Sequence, residues 1–293
     1  MTAPAPPVTW PDGRRAAACF TFDVDGESAV LSTHPQAASR MSVMSHQAYG
    51  PLVGVPRLLD LLERHSVRAT FFVPGFTAHR YPDVVRAIAA AGHEIGHHGY
   101  LHEPLIDVEP DAEAAILDRG LDALAEVAGV RPAGYRAPMW ELTFHSPALL
   151  HERGFQYDSS LMDADHPYLL DVGDGRRTLV EIPVHWALDD WEQYCYIPDI
   201  AGTGLMRAPD DMLRTWTAEL DAMTDAGGCF VLTSHPFLTG RPARARALDQ
   251  LIRHAAGRPD LWVTTLADVA AHIASLPDPR PRTITRPDPG APR

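Results

Sequence analysis

The sequence predicts an α/β protein on a parallel sheet, with about seven strand–helix units, enough for a closed or nearly closed (β/α) barrel. Three observations point there. Short apolar runs alternate with helical stretches over most of the 293 residues. Most of these runs are apolar on both faces and rich in β-branched or aromatic residues, which suits buried parallel strands. Polar residues able to do chemistry fall just after several of the runs, where barrel enzymes collect theirs.

The elements follow in order. Ala16–Phe22 reads as the first strand and Val55–His65 as an apolar-striped helix. Arg68–Val73 is the second strand, with Pro82–Ala91 helical after it. Glu94–His97 is the third strand and Pro110–Ala128 the long helix that follows. Gly134–Ala137 is a short fourth strand before the helix Ser146–Arg153. Leu179–Val184, Cys229–Ser234 and Leu261–Thr265 complete the strands. Their helices are Ala208–Ala226, Ala243–Ala256 and Leu266–Ala274. Ser28–Gly54 shows little regular pattern and reads as a long loop, which in a compact domain is usually functional or an oligomer contact.

The organisation expected is an N-terminal arm (1–14), a catalytic domain (15–275) and a Pro/Arg-rich tail (276–293), either flexible or docked on a partner subunit. A formal net charge of -13 argues against nucleic acid or anionic membranes as partners. The chain contains no Lys, which excludes lysine Schiff-base chemistry. Its three cysteines, Cys19, Cys195 and Cys229, are odd in number and widely spaced, so neither a disulfide framework nor a CxxC metal site is expected. The N-terminus lacks the apolar core of a secretory signal, and no run is long enough to span a membrane. A cytoplasmic location is therefore expected.

The chemistry gathers at the predicted strand ends. Asp23-Val24-Asp25 follows the first strand, and alternation would put both carboxylates on one face. Read alone, the same residues also fit an Asx-rich turn. His98-x-x-x-His102 follows the third strand, a spacing that puts two imidazoles on one side of a helical turn. Such a pair suits Zn²⁺ and neighbouring metals, but surface histidines are common in a chain with fifteen. Arg136 ends the fourth strand and could grip a carboxylate bidentately. His235 follows the strand that carries Cys229 and could be a general acid or base, or simply cap the next helix. Each signal is modest alone. Together they supply two His and an Asp with positions left for water and substrate, plus a base and an acid.

At these residues the chain resembles the polysaccharide deacetylase (NodB-homology) family. The family's TFDDG motif appears as Thr21-Phe22-Asp23-Val24-Asp25-Gly26, and its H-S-x-x-H motif as His98-Gly99-Tyr100-Leu101-His102. R-x-P-x-W is matched by Arg136, Pro138 and Trp140, and the later His motif by His235-Pro236. The inserted Val24 and the Gly99-Tyr100 pair look like an intracellular branch. That branch includes Helicobacter-type peptidoglycan deacetylases, cyclic imide hydrolases and metal-independent allantoinases. Tyr49-Gly50-x-x-Val53-Gly54-Val55-Pro56-Arg57, Ile182-Pro183-Val184-x-Trp186 with Asp189-Asp190, and His235-Pro236 before Gly240-Arg241-Pro242 look like the same branch.

The resemblance implies a distorted barrel and named roles. Asp25, His98 and His102 would bind a divalent metal, Zn²⁺ first, with Co²⁺, Mn²⁺ or Fe²⁺ accepted by the same ligands. Asp23 would be the general base, held ionised by Arg136, and His235 the general acid that protonates the leaving nitrogen. Trp140 would wall the pocket. Tyr49 and Trp186 are further candidates for touching substrate, as are His185 and Asp190. His97 is expected to be structural or to support the site. Glu27 either lines the pocket or ends its turn, and His34 and His46 lie in the irregular stretch. The branch also implies a homo-oligomer, a dimer or tetramer.

The expected activity is metal-dependent hydrolysis of a carbon–nitrogen bond in a small cyclic imide, ureide or amide. The alternative is de-N-acetylation of an amino sugar. A metal-free mechanism and a barrel that only binds its ligand are the remaining readings. A closed pocket lidded by Ser28–Gly54 would favour the small molecule, and an open groove the polymer.

Overall fold

The computed structural model describes residues 8–173, 175–277 and 281–287. Among them, nine strands form one curled sheet in the order β6-β7-β5-β4-β3-β2-β1-β8, with β9 also paired to β1. The central strand β1 (Ala16–Asp23) is buried throughout. Its upper part pairs in parallel with β2 (Thr70–Val73) and its lower part with β9 (Leu261–Val263). Its other edge pairs with β8 (Cys229–Ser234). Beyond β2 come β3 (Glu94–His97), β4 (Gly134–Tyr135), β5 (Tyr157–Asp158) and β7 (Thr178–Glu181), all parallel. Only β6 (Tyr168–Asp171), at the rim, runs antiparallel, against β7. The chain after β7 bends back so that Asp189 bridges Thr233 of β8. That bridge spans the gap between the two edges, so the sheet is a distorted, incompletely closed barrel.

Helices cover the outside. The core ones are α3 (Val55–His65), α5 (Pro82–Ala90), α6 (Pro110–Ala128), α9 (Pro209–Ala226), α11 (Pro242–Ala256) and α12 (Leu266–Ser275). In α3 the buried residues Val55, Leu58, Leu61 and Leu62 form one stripe, the helical spacing that fixes its face on the sheet. Shorter helices sit at the C-terminal side or between long elements: α1 (Ser28–Leu31), α2 (Met41–Tyr49), α4 (Gly75–Arg80), α7 (Ser146–Glu152), α8 (Trp191–Tyr194) and α10 (Pro236–Thr239).

The structure departs from the expected elements in three ways. Two strands, β5 with two residues and the antiparallel β6, are not among the expected ones. Ser28–Gly54 is not an irregular loop but α1, a short 3₁₀ turn, α2 and a π-helical turn over Gly50–Gly54, where the Val55 amide reaches the Gly50 carbonyl. The chain ends are also more engaged than arms would be. Trp10 is buried against Trp262 and His272 and donates to the Gly227 carbonyl at 2.9 Å. Arg282 pairs with Leu170 on the β6 edge of its own chain. Residues 1–7, 278–280 and 288–293 of the expected arm and tail lie outside the described residues. All three cysteines are buried and free. No helix among the described residues is long and apolar enough to cross a membrane.

One buried pair sets a pH dependence. Asp158 and Glu181 face each other in register on β5 and β7, both fully buried. Burial pushes both carboxyls up, Asp158 to about 6, and for Glu181 the charge of Asp158 adds to the effect. The unfolded chain gives up the Asp158 proton near the ordinary 3.8, whereas the folded chain keeps it to about 6. This contribution to stability is therefore present at low pH and lost as pH rises through about 6. Glu181→Gln is expected to gain melting temperature relative to wild type as pH rises across that window. A difference that stays constant with pH would exclude a shared proton.

Candidate metal centre and active site

The site lies at the C-terminal ends of β1, β3, β4 and β8. Asp23 closes β1 and Asp25 follows two residues later, both buried. Gly26, at φ +56°, turns the chain away beneath Thr77 and Tyr81. The Thr77 hydroxyl donates to the Asp25 carbonyl and so fixes the carboxylate's backbone. Glu27 does not line the pocket. It is buried and accepts from Arg80 Nε at 2.9 Å and Tyr81 Oη at 2.7 Å.

The two histidines meet by a different route from the helical turn expected of their spacing. After β3, Gly99 takes φ +69° and His102 φ +59°, and the Glu103 carboxylate accepts from the amides of Tyr100 and Leu101 at 3.0 and 2.8 Å. This left-handed loop brings the rings within 4.9 Å of each other. His98 Nδ1 lies 2.7 Å from the Arg136 carbonyl, which can only accept, so Nδ1 carries the proton and Nε2 offers its lone pair. His98 Nε2 is 3.5 Å from Asp25 Oδ1, and His102 Nε2 is 3.8 Å from Asp25 Oδ2. Burial, with the nearby His235, lowers His102 to about 4, so it too is neutral at physiological pH.

Asp25 is the anomaly that makes the site legible. Both of its carboxylate oxygens are buried without a hydrogen-bond partner among the described residues. Burial, then the charges of Asp23 and Asp190, push its pKa up against the pull of His98 and His235. An unpaired buried carboxylate costs several kcal/mol unless something neutralises it. Two neutral imidazoles do not, and the charged His235, 3.6 Å from Oδ2, makes it no hydrogen bond. A divalent cation among the three would, and the chemistry of the donor set fits one.

Asp23 has a different environment. Arg136 Nη1 donates to its Oδ1 at 2.8 Å and to Thr21 Oγ1 at 2.8 Å. The grip is on one oxygen rather than bidentate, because Nε and Nη2 are spent on the carbonyl and hydroxyl of Ser159, each at 3.1 Å. Burial alone would raise the Asp23 pKa; Arg136, His98 and His235 outweigh it and hold the group below its ordinary range. The second Asp23 oxygen, Oδ2, is 3.9 Å from His98 Nε2.

His235 stands opposite, its Nε2 3.6 Å from Asp25 Oδ2. Asp190 accepts from both the His235 amide, at 2.8 Å, and Nδ1, at 2.7 Å. Burial would lower this imidazole, but the Asp190 hydrogen bond and the charges of Asp189, Asp190 and Asp25 raise it to about 10. The ring is therefore a cation with its Nε2 proton facing the site. The sequence named Asp190 only as a possible substrate contact. Its place behind His235, 45 residues away in the chain, has no local signature.

A cavity of about 420 Å³ opens over these groups. Asp23, His98, His102 and His235 form its floor, and Trp140, Trp186 and Trp191 its walls. Trp140 and Trp186 stack at 4.4 Å. Met139 and Trp140 both take φ +57°, a strained pair that puts the indole over the site. Ala29, Val30, Thr33 and His34 of the Ser28–Gly54 stretch also line the cavity. Tyr49 does not. Its hydroxyl meets the Gly240 carbonyl and Arg57, and its ring lies under Arg241. His46 packs edge-on against Phe237, and His185 caps the short turn Trp186–Leu188 through the Ala187 amide. His97, turned to the other face, joins Leu117 and Gly99; burial lowers it to about 3.

The chain is similar to known proteins over most of its length. The polysaccharide deacetylase family profile matches residues 37–157. The peptidoglycan deacetylase of Helicobacter pylori is 31% identical over 259 residues, covering 80% of this chain and 88% of that protein. A solved structure from Mycobacterium smegmatis, provisionally assigned as a polysaccharide deacetylase, is 58% identical with a TM-score of 0.94, over 98% of this chain and 100% of that one. The solved Puue allantoinase is 25% identical with a TM-score of 0.80, over 91% and 93% of the two chains. With that relative matched over most of its length and the same curled barrel in solved structures, this chain belongs to the polysaccharide deacetylase family.

Proposed function

We propose that the protein is a metal-dependent hydrolase of a small cyclic imide, ureide or amide. The observation that carries the metal is the buried carboxylate of Asp25, without a hydrogen bond, beside the Nε2 atoms of His98 and His102. A cation held by these three would polarise the attacked carbonyl and acidify the attacking water. Zn²⁺ suits the two imidazoles and carboxylate best, and Co²⁺, Mn²⁺ or Fe²⁺ would be tolerated.

The remaining residues divide the proton work. Asp23, ionised beside Arg136, takes a proton from the water. His235, charged and held by Asp190, gives one to the leaving nitrogen, which is a poor leaving group until protonated. Trp140 and Trp186 hold a flat, weakly polar substrate over the floor. Size favours the small molecule. A cavity of about 420 Å³, walled by three Trp and lined also by Ala29, Val30, Thr33 and His34, has the size of a pocket for a small molecule. The allantoinase likeness points the same way.

A second reading, de-N-acetylation of an amino sugar, is favoured by the identity to the Helicobacter pylori peptidoglycan deacetylase. Turnover by the metal-loaded enzyme separates the two. The panel is succinimide, hydantoin, phthalimide and allantoin against N-acetylglucosamine oligomers, with products read by mass spectrometry. Gain of one water by a ring without loss of a fragment is expected. Acetate released from the oligomers alone would overturn the small-ring reading in favour of the deacetylase.

A further inference from the structure

We infer that the segment Tyr49–Arg57 is a clamp that positions His235, so that Gly54, Tyr49 and Arg57 are positioning residues for the proton-donating step. The inference rests on the role proposed for His235. Asp190 fixes the rotation of the imidazole, but the backbone that carries His235 needs its own support. It sits between β8 and α10, a helix of only four residues.

That support comes from two kinds of contact. The π-helical turn Gly50–Gly54 lies against one side of Pro236 and Phe237. A Cβ on Gly54 would stand 2.2 Å from the Pro236 carbonyl oxygen, and one on Gly50 3.1 Å from the Phe237 amide nitrogen. At the same contact a Cβ on Gly240, which caps α10 and donates to that Pro236 oxygen at 3.1 Å, would meet the oxygen at 2.2 Å and the Gly54 Cα at 2.5 Å. Two backbones, the π turn and the α10 turn, therefore touch at Pro236 without intervening side chains, a packing that the glycines at 54 and 240 permit.

Polar contacts lock the far end of the turn. The Gly240 carbonyl accepts from Arg57 Nη1 and, at 3.3 Å, from Tyr49 Oη. Arg57 also donates to Tyr49 Oη at 2.7 Å, and the Arg241 guanidinium lies 3.5 Å over the Tyr49 ring. Arg57 and Tyr49 thus grip the C-terminal end of the turn while Gly54 abuts its start. The π turn is what lets one short segment do both, since its wider loop sets Gly50 and Gly54 on the same partner. Neither Tyr49 nor Gly54 lines the cavity. Their route to the chemistry is through the His235 main chain and the 3.6 Å separation of its Nε2 from Asp25.

The test compares two kinds of leaving group. An amide or imide needs its nitrogen protonated. 4-Nitrophenyl acetate does not, because nitrophenolate departs unaided. Wild type, Gly54→Ala, Arg57→Ala, Arg57→Lys and His235→Ala are assayed on the panel substrate that wild type hydrolyses and on 4-nitrophenyl acetate. Bound zinc and melting temperature are measured alongside. Gly54→Ala is expected to lose ~100-fold in kcat on the panel substrate, as displacement of a catalytic group by about 1 Å commonly does. Its KM, its zinc content and its rate on the ester are expected to stay near wild type. Arg57→Ala should show the same selective loss at about tenfold, and Arg57→Lys, which keeps a donor for Gly240, should recover most of it.

If Gly54→Ala does not fold, the Arg57 pair decides the question. Equal losses on amide and ester, or no loss on either, would overturn the clamp. His235→Ala separates this from the underlying reading: if it too loses amide and ester equally, His235 is not the proton donor, and the clamp's role falls with that assignment. A wild type inactive on every amide and imide tested would overturn the hydrolase reading itself.

Discussion

Asp25→Ala is expected to remove both the metal and the activity. In wild type the Asp25 carboxylate is the sole charge among the three proposed ligands, since His98 and His102 are neutral. Without it, two imidazoles remain, and zinc per chain should fall from near one to near zero after desalting. Turnover on any amide should drop to background. Stability gives a readout independent of activity. A ligand that binds only the folded state adds about 2.7 kcal/mol at a concentration 100 times its Kd, so wild type should melt later as zinc is added. The variant should not respond to zinc. Stripped of metal, it should melt no earlier than stripped wild type, because the substitution deletes a buried, unpaired carboxylate. If Asp25→Ala keeps a full equivalent of zinc and a wild-type melting shift, Asp25 is not a ligand. If wild type itself takes up no metal under any loading, the metal-dependent reading fails.

Much of this site could be reached from the sequence because strand ends are a local property. β1, β2, β3 and β8 are runs of buried residues, and their ends bring Asp23, Asp25, His98 and His235 to one face of the sheet. Arg136 arrives the same way after β4. What the sequence hid depends on long-range packing. The helix α2 (Met41–Tyr49) has only Val43 and Gln47 buried, so it carries no apolar stripe to announce it. Gly50 and Pro51, which pattern reading takes as breakers, sit inside the π turn because Phe237 presses on that backbone. Tyr49 looked like a ligand contact because a phenol in a long loop commonly is one. Its partners, Gly240 and Arg241, are nearly two hundred residues away. The rings of His98 and His102 lie 4.9 Å apart, but on a left-handed loop rather than the helical turn their spacing suggests. Gly99 was the local sign of a left-handed turn in place of a helix.

Asp23→Asn is expected to retain the metal and lose the reaction. The amide is nearly isosteric with the carboxylate and its carbonyl can still accept from Arg136, so the geometry of β1 should survive. What disappears is the charge that makes Asp23 a proton acceptor. Loss of a general base typically costs 10²–10⁴-fold, so kcat should fall by ~10³ with KM and zinc content near wild type. The melting temperature should fall as well. Arg136 is fully buried, and the variant leaves its guanidinium with neutral partners only: the new amide carbonyl, Thr21 and Ser159. Breaking a buried ion pair from one side costs about 3–5 kcal/mol, moderated here by those remaining contacts. The pattern across substrates then distinguishes base from acid. Water must be deprotonated whichever group leaves, so Asp23→Asn should slow the amide and 4-nitrophenyl acetate alike. His235→Ala should slow the amide and largely spare the ester. If Asp23→Asn spares the ester while His235→Ala does not, the two residues have exchanged the roles proposed for them. If Asp23→Asn retains wild-type turnover on both substrates, its carboxylate serves only to neutralise Arg136, and the base must be sought elsewhere in the cavity, with Asp189, raised to about 7 by burial and the charge of Asp190 against the pull of His235, the next group to test.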